Sequence, residues 1–145
     1  MKKILVINGP NLNLLGIREK DIYGSTNYNE LLEIISKKAT ELNLNVFFFQ
    51  SNHEGEIIDR IHRALDEDID GIIINPGAYT HYSYAIHDAI KAVNIPTIEV
   101  HISNIHAREE FRKRSVIAPA CVGQISGFGI KTYIVALYAL KEILD

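Results

Sequence analysis

The chain has 145 residues, of which 47% are hydrophobic and 23% charged, and its formal net charge is −3. A chain of this size can bury one core, and its composition is that of a folded globular protein rather than a disordered one. Its Lys, Arg, Asp and Glu residues are intermixed and form no basic stripe, so we expect no nucleic-acid partner. We predict a single domain over residues 1–145.

The start of the chain and its cysteine content exclude two further classes of protein. The segment MKKILVING contains an apolar run of about five residues, which is too short for a signal peptide or a membrane span. We therefore expect a cytoplasmic protein without a membrane partner. Cys121 is the only cysteine, so neither an internal disulfide nor a thiolate metal cluster can form, and we expect this residue to be buried.

Continuous apolar runs predict the β-strands, and their lack of polar alternation predicts that both faces of the sheet are covered. Four runs have strand length: KILVING (Lys3 to Gly9), NVFFFQ (Asn45 to Gln50), GIIINP (Gly71 to Pro76) and PTIEVH (Pro96 to His101). Each stops at polar or turn residues, as strands do. A short fifth strand is predicted in VGQIS, within the less regular region from Ser115 to Gly129.

Apolar residues at helical spacing lie between these runs. Asn27 and Glu30 have the spacing of a capping box, which predicts the start of the first helix. The apolar positions are Leu31, Ile35, Ala39 and Leu42 in the first helix, Ile57, Ile58, Ile61, Ala64 and Leu65 in the second, and Ile86, Ala89, Ile90 and Val93 in the third. A fourth helix is predicted from Thr132 to Leu144. Strands that alternate with helices indicate an α/β fold, a parallel sheet with helices on both faces.

Polar side chains collect at the carboxyl ends of the predicted strands, which is where parallel α/β sheets bind ligands. Asn11 follows the first strand and Asn75 ends the third, although both are also common turn residues beside Gly and Pro. Glu99 and His101 are two residues apart and project from the same face of the fourth strand, so the carboxylate can orient the imidazole. His101 is therefore a candidate general acid. A purely structural His–Glu pair would have the same spacing.

Further candidates for ligand binding follow the third and fourth strands. His81 precedes a predicted helix that carries Asp88, and the two residues also fit a histidine near a helix cap and a solvated acid. Arg108 and Arg112 are one helical turn apart, so we predict that they share a helix face. Their guanidinium groups suit an anionic ligand, but a charged helix exterior explains them equally well.

The segment GIREKDIYG (Gly16 to Gly24) fits neither a strand nor a helix. It belongs to a connection from Pro10 to Thr26 that is longer than most βα loops, and unstructured loops of this length are often active-site lids. Arg18 and Tyr23 lie on this predicted lid. A tyrosine acts as a base near neutral pH only if a neighbouring cation stabilises its phenolate by about 4 kcal/mol. Packing of the loop against the surface is the alternative role for Tyr23.

Six segments of the chain occur in a specific order. They are NGPNLNLLG, GIREKDIYG, FFQSNHEGEIID, IIINPGAYTHYSYAIHDAI, PTIEVHISNIHAREEFRKRS and APACVGQISGFG. With them the chain resembles the type II 3-dehydroquinate dehydratases over essentially its full length. The resemblance implies a flavodoxin-like fold and a hydro-lyase of the shikimate pathway, the route of aromatic amino-acid biosynthesis. It also implies that 3-dehydroquinate is dehydrated to 3-dehydroshikimate through an enolate, with no metal, cofactor or Schiff base.

The resemblance implies a role for each residue of the catalytic centre. Tyr23 is expected to remove the proton next to the ketone. Arg18 and Arg108 are expected to supply the positive charge that stabilises its phenolate. His101, oriented by Glu99, is expected to protonate the departing hydroxyl group.

Other residues are expected to bind the substrate and to hold water. The resemblance assigns the substrate carboxylate and ring hydroxyls to Asn75, His81, Asp88, Arg112 and the backbone amides of Ile102 and Ser103. Asn11 is expected to hold a water near the enolate oxygen. In the family, the residue that matches Asp88 comes from a neighbouring subunit. Its members are usually homo-oligomers, dodecamers built from trimers.

Two other functions fit the same fold but lack their residues here. A flavodoxin-like nucleotide or flavin binder is the main alternative, yet no GxGxxG follows the first strand and no GxxxxGK[ST] occurs. A phosphoacceptor signalling domain needs acidic residues where the first and third strands end, and Asn8 and Asn75 stand there instead. HExxH and cysteine pairs are also absent, so we expect no metal site.

Overall fold

The computed structural model describes residues 1–145 and contains one five-stranded sheet. The strands are β1 (Lys2–Asn8), β2 (Leu44–Gln50), β3 (Gly71–Asn75), β4 (Thr97–His101) and β5 (Gly123–Ser126). All four pairings are parallel, and the order across the sheet is β2-β1-β3-β4-β5. The parallel sheet predicted from the apolar runs is therefore confirmed, including the short fifth strand.

Five α-helices accompany the sheet, and the four longer ones cover its two faces. They are α1 (Lys20–Tyr23), α2 (Tyr28–Glu41), α3 (Glu54–Asp66), α4 (Tyr84–Val93) and α5 (Lys131–Leu144). Apolar side chains of α2 and α5 pack on one face of the sheet and those of α3 and α4 on the other, which gives two separate cores. The predicted capping box is present, since Asn27 and Glu30 exchange side-chain and backbone hydrogen bonds. No helix is both long and apolar enough to cross a membrane.

The strand order switches at β1, which has β2 on one side and β3 on the other. The ends of β1 and β3 come very close together just beyond the sheet. A Cβ atom at Gly9 would lie 2.7 Å from the carbonyl oxygen of Pro76, so only glycine fits there. This close approach brings the segments that follow β1 and β3 to one rim, at the position where ligands bind in such folds.

Two predictions about local structure are wrong. The connection from Pro10 to Thr26 is not an unstructured loop, because it contains a 3₁₀ helix (Leu12–Leu14) and the single turn α1. A four-residue helix has no repeating apolar pattern by which the sequence could reveal it.

Arg108 and Arg112 do not share a helix. Arg108 has extended backbone angles and follows one 3₁₀ helix (Ile105–Ala107), whereas Arg112 ends the next (Glu110–Arg112). Their spacing of four residues therefore does not put them on one helix face. What they share is the rim of the sheet, which both segments reach after β4.

Candidate active site

A cavity of about 140 Å³ lies beyond the carboxyl ends of β1, β3 and β4. Its walls contain ten of the twelve residues that the sequence singled out: Asn11, Arg18, Tyr23, Asn75, His81, His101, Ile102, Ser103, Arg108 and Arg112. Glu99 lies behind the cavity wall and contacts His101. Asp88 is the exception, because it is exposed on α4 and does not line the cavity of this chain.

The Tyr23 hydroxyl lies beside two guanidinium groups. Nη1 of Arg108 donates a hydrogen bond to it at 2.8 Å, and Nη2 of Arg18 lies at 3.4 Å. The guanidinium carbons of Arg18 and Arg108 are also 4.6 Å and 5.4 Å from the centre of the Tyr23 ring. Positive charge at this distance favours the ionised form of an acid, so the surroundings of Tyr23 suit a phenolate.

The two arginines are themselves held in place. Nη1 of Arg108 also donates to Oγ of Ser103, at 3.2 Å, which ties the guanidinium to the segment after β4. One carboxylate oxygen of Glu19 lies 3.6 Å from Arg108 and 3.7 Å from Arg18. Glu19 is half exposed, so water screens its charge and the site keeps much of its positive potential.

Glu99 and His101 form a hydrogen-bonded pair, as their spacing in the strand predicted. Nε2 of His101 bonds to Oε2 of Glu99, a residue with no exposed surface, and the other ring nitrogen, Nδ1, has no protein partner. His101 lines the cavity, so Nδ1 is the nitrogen that can exchange a proton with a ligand.

Three more donors surround the Glu99 carboxylate. They are the hydroxyls of Thr80 and Ser115, at 2.6 Å and 2.8 Å, and the amide of Gln124, at 3.0 Å. Burial alone raises the pKa of Glu99, but the hydrogen bond and charge of His101 and the two hydroxyls outweigh it. The pKa therefore lies below its ordinary value of 4.5, and Glu99 is a carboxylate at neutral pH.

We expect Glu99→Gln to destabilise the protein at pH 7 by about 1–3 kcal/mol, because donors that face two carboxylate oxygens lose an acceptor. The pKa of Glu99 is lower in the folded than in the unfolded chain, so the carboxylate stabilises the fold above pH 4.5. That contribution is lost as the pH falls through the folded-state pKa. Chemical denaturation from pH 7 to pH 3 should therefore show the difference between wild type and variant becoming smaller.

Glu110→Gln is the matched control, because the side chain of Glu110 is 87% exposed and its one ion pair is with Lys113. Exposed substitutions of this kind change stability by about 0.5 kcal/mol or less. A Glu99→Gln difference that stayed constant down to pH 3 would contradict the depressed pKa.

Asn75 and Asn11 both line the cavity, but they are held differently. Asn75 is 4% exposed; its Oδ1 accepts the backbone N–H of Gly77 at 3.2 Å, and its Nδ2 donates to Tyr133 at 2.9 Å. Asn11 is exposed and has a left-handed backbone (φ 71°), a conformation that asparagine tolerates, so it also serves the turn after β1. Its backbone N–H donates to the side chain of Asn52 at 2.9 Å.

His81 has a defined tautomer. Its Nδ1 lies 2.8 Å from the carbonyl oxygen of Arg114, which can only accept, so the proton is on Nδ1. Partial burial lowers the pKa of His81, which keeps the ring neutral at pH 7 and leaves Nε2 as a hydrogen-bond acceptor for a ligand hydroxyl.

The far side of the cavity presents donors suited to an anion. The backbone N–H groups of Ile102 and Ser103, just beyond β4, have no acceptor within the protein, and both residues line the cavity. Arg112 lies beside them; its Nε donates to Glu109 at 2.8 Å, and its guanidinium stacks over Phe111. Free amides beside a guanidinium can bind a carboxylate.

Sequence reasoning missed four residues that support the site: Thr80, Ser115 and Gln124 around Glu99, and Tyr133 beneath Asn75. One of them had a signal in the strand pattern, since Gln124 of β5 is the register partner of Glu99 in β4. The others approach from separate segments, and no motif connects them to the residues they contact.

Groups that could hold a metal ion are not found, because no three His, Cys, Asp or Glu side chains converge. Cys121 is partly buried, and burial raises the pKa of its thiol to about 12, so it is not a thiolate at neutral pH.

Comparison with known proteins gives consistent matches. Residues 2–141 match the family model described as "Dehydroquinase class II". The chain is 94% identical over 144 residues to the 3-dehydroquinate dehydratase of Caldicellulosiruptor saccharolyticus, covering 99% of each chain. It is 82% identical over 145 residues to that of Caldicellulosiruptor bescii, covering 100% of both. The crystal structure of the type II dehydroquinase from Butyrivibrio crossotus is similar, with a TM-score of 0.94 and 59% identity over 96% of this chain and 97% of that one.

Proposed function

The chain belongs to the class II dehydroquinase family, which dehydrates 3-dehydroquinate in the shikimate pathway, and from this we propose how its own residues perform that reaction. The enzyme is a hydro-lyase, and its product is 3-dehydroshikimate. A flavodoxin-like binder of nucleotides or flavin is not favoured, because the family match spans residues 2–141.

Tyr23 is the base that removes the proton next to the ketone. Its support is the hydrogen bond of 2.8 Å from Arg108 and the second guanidinium, of Arg18, stacked on its ring. The C–H bond breaks, its proton goes to the phenolate oxygen, and its electron pair forms an enolate. The positive charge of Arg18 and Arg108 stabilises both the phenolate before this step and the enolate after it. Asn11 holds a water near the enolate oxygen.

His101 is the acid that completes the dehydration. As the enolate collapses, the C–O bond breaks and the leaving oxygen takes a proton from Nδ1 of His101, so that water departs. Glu99 bonds Nε2, which fixes the ring and stabilises its protonated form. Tyr23 then holds one additional proton and His101 lacks one, so a proton must pass from Tyr23 to His101 before the next turnover.

The remaining residues bind the substrate. Asn75 and His81 take ring hydroxyls, and Arg112 with the free amides of Ile102 and Ser103 takes the carboxylate. Their support is the set of unpaired donors and acceptors that faces the cavity. Asp88 does not reach the cavity of its own chain, so we assign it to the site of a neighbouring subunit.

That assignment requires a homo-oligomer, and we propose a cytoplasmic dodecamer built from trimers, in which residues 1–145 are one domain. An exposed Asp88 can enter a neighbouring site only if the subunits are closely associated. Light scattering should give twelve times the chain mass of 16.3 kDa. A monomeric mass in an active preparation would exclude a shared site.

The reaction itself is tested by ultraviolet absorbance. The product is a conjugated enone, so absorbance should rise when the purified protein is added to 3-dehydroquinate, and the rise should persist in a chelator. The same preparation after heat denaturation is the control. No rise with a folded oligomer would contradict the proposed activity.

A further inference from the structure

Four polar side chains form a continuous buried chain beneath the cavity. Nδ2 of Asn75 donates to the Tyr133 hydroxyl at 2.9 Å, and that hydroxyl donates to Oδ1 of Asn8 at 2.6 Å. Nδ2 of Asn8 then lies 3.4 Å from the hydroxyl of Tyr28. Asn75, Tyr133 and Asn8 are 4%, 0% and 0% exposed, so water cannot replace these bonds. The chain runs from the cavity wall to helices α5 and α2.

The direction of every bond follows from one backbone group. The N–H of Gly77 can only donate, so the atom of Asn75 that it meets at 3.2 Å is the oxygen. The Asn75 nitrogen then faces Tyr133, whose oxygen accepts, and the one hydrogen of the phenol must point to Asn8. The orientation of both amides is thus determined by Tyr133 together with Gly77.

Tyr133 is the group that joins the two amides. Asn8 and Asn75 are register partners at the ends of β1 and β3, where the strand order switches. Their side chains do not bond each other directly; the Tyr133 hydroxyl bonds both. Burial raises the pKa of Tyr133 well above its ordinary value, so the phenol keeps the hydrogen that it donates.

We propose that Tyr133 is a positioning residue for substrate binding, because its hydroxyl holds the Asn75 amide in the one orientation that can bind a ring hydroxyl. With Gly77 and Tyr133 each engaging one end of the amide, a second N–H and a second lone pair of Asn75 remain for the substrate. This inference rests on the proposed role of Asn75 in substrate binding. It extends the site to helix α5, which does not line the cavity.

Tyr133→Phe is the direct test, since it removes the hydroxyl and keeps the ring that fills the core. Without it, the buried Nδ2 of Asn75 has no acceptor and the amide can turn. We expect KM for 3-dehydroquinate to rise about tenfold, which corresponds to one lost hydrogen bond, while kcat changes less than threefold. Tyr138→Phe is the matched control on the same helix, because Tyr138 is half exposed and bonds only Lys38.

A double substitution separates positioning from loss of stability. If Tyr133 acts through Asn75, then adding Tyr133→Phe to Asn75→Ala should raise KM no further. Additive effects, or wild-type KM in Tyr133→Phe, would overturn the proposal. An Asn75→Ala variant with unchanged KM would instead contradict the proposed role of Asn75 itself, so the two failures are distinguishable.

Asn8→Ala supplies a second route if Tyr133→Phe does not fold. It removes the acceptor of the Tyr133 hydrogen, which is then free to turn toward Asn75 and to compete for its orientation. We expect KM to rise severalfold in this variant. An unchanged KM in folded Asn8→Ala would count against the proposal.

Discussion

Tyr23→Phe is expected to lower kcat by about 10²- to 10⁴-fold, the contribution of a well-placed general base. The substitution keeps the aromatic ring on which Arg18 stacks and removes only the oxygen that Arg108 bonds at 2.8 Å. The cavity keeps its shape and its anion-binding groups, so substrate should still bind. Turnover measured by ultraviolet absorbance, and substrate binding measured by calorimetry, should show that kcat falls while the dissociation constant changes little.

Tyr84→Phe is the control for this result, because Tyr84 is 62% exposed on α4 and makes no side-chain hydrogen bond. Its kcat should equal that of the wild type. Full activity in folded Tyr23→Phe would exclude the phenol as the base. Loss of substrate binding in that variant would instead show that the hydroxyl helps to hold the substrate.

The sheet could be predicted from the sequence because its signal is local. The runs KILVING and GIIINP contain consecutive apolar residues, and only a strand with helices on both faces buries every one of them. The observed strands Lys2–Asn8 and Gly71–Asn75 differ from those runs by one residue at an end. The rim followed from the same reasoning, since parallel strands place their carboxyl ends together.

The Glu99–His101 pair was predictable for the same reason, whereas the arginine pair was not. A spacing of two residues has one meaning in a strand, so the side chains had to be neighbours. A spacing of four residues has a meaning only inside a helix, and Arg108 has extended backbone angles instead. The prediction that Arg108 and Arg112 share a face failed because the segment after β4 forms two short 3₁₀ turns.

Contacts between distant segments were beyond the sequence patterns. Tyr133 is 58 residues from Asn75 and 125 residues from Asn8, and on α5 it has the appearance of one more core residue in an apolar helix. The same holds for Thr80 and Ser115, which reach Glu99 from two separate loops. These groups satisfy buried polar atoms whose positions only the packed fold defines.

His101→Ala is expected to lower the rate of dehydration by about 10²- to 10⁴-fold, because no other acid faces the leaving group. Glu99 should remain in place in this variant, since Thr80, Ser115 and Gln124 still donate to its carboxylate. His62→Ala on the exposed side of α3 is the control and should have wild-type activity.

The two active-site variants should fail at different steps, and hydrogen exchange can distinguish them. If Tyr23 forms the enolate before His101 acts, then His101→Ala should still exchange the proton next to the ketone with deuterated water, although it releases almost no product. Tyr23→Phe should lose exchange and dehydration together, because the enolate never forms. NMR of 3-dehydroquinate in D₂O would measure both rates. Exchange abolished equally in the two variants would mean that His101 already takes part in removing the proton, and that the stepwise division between base and acid is wrong.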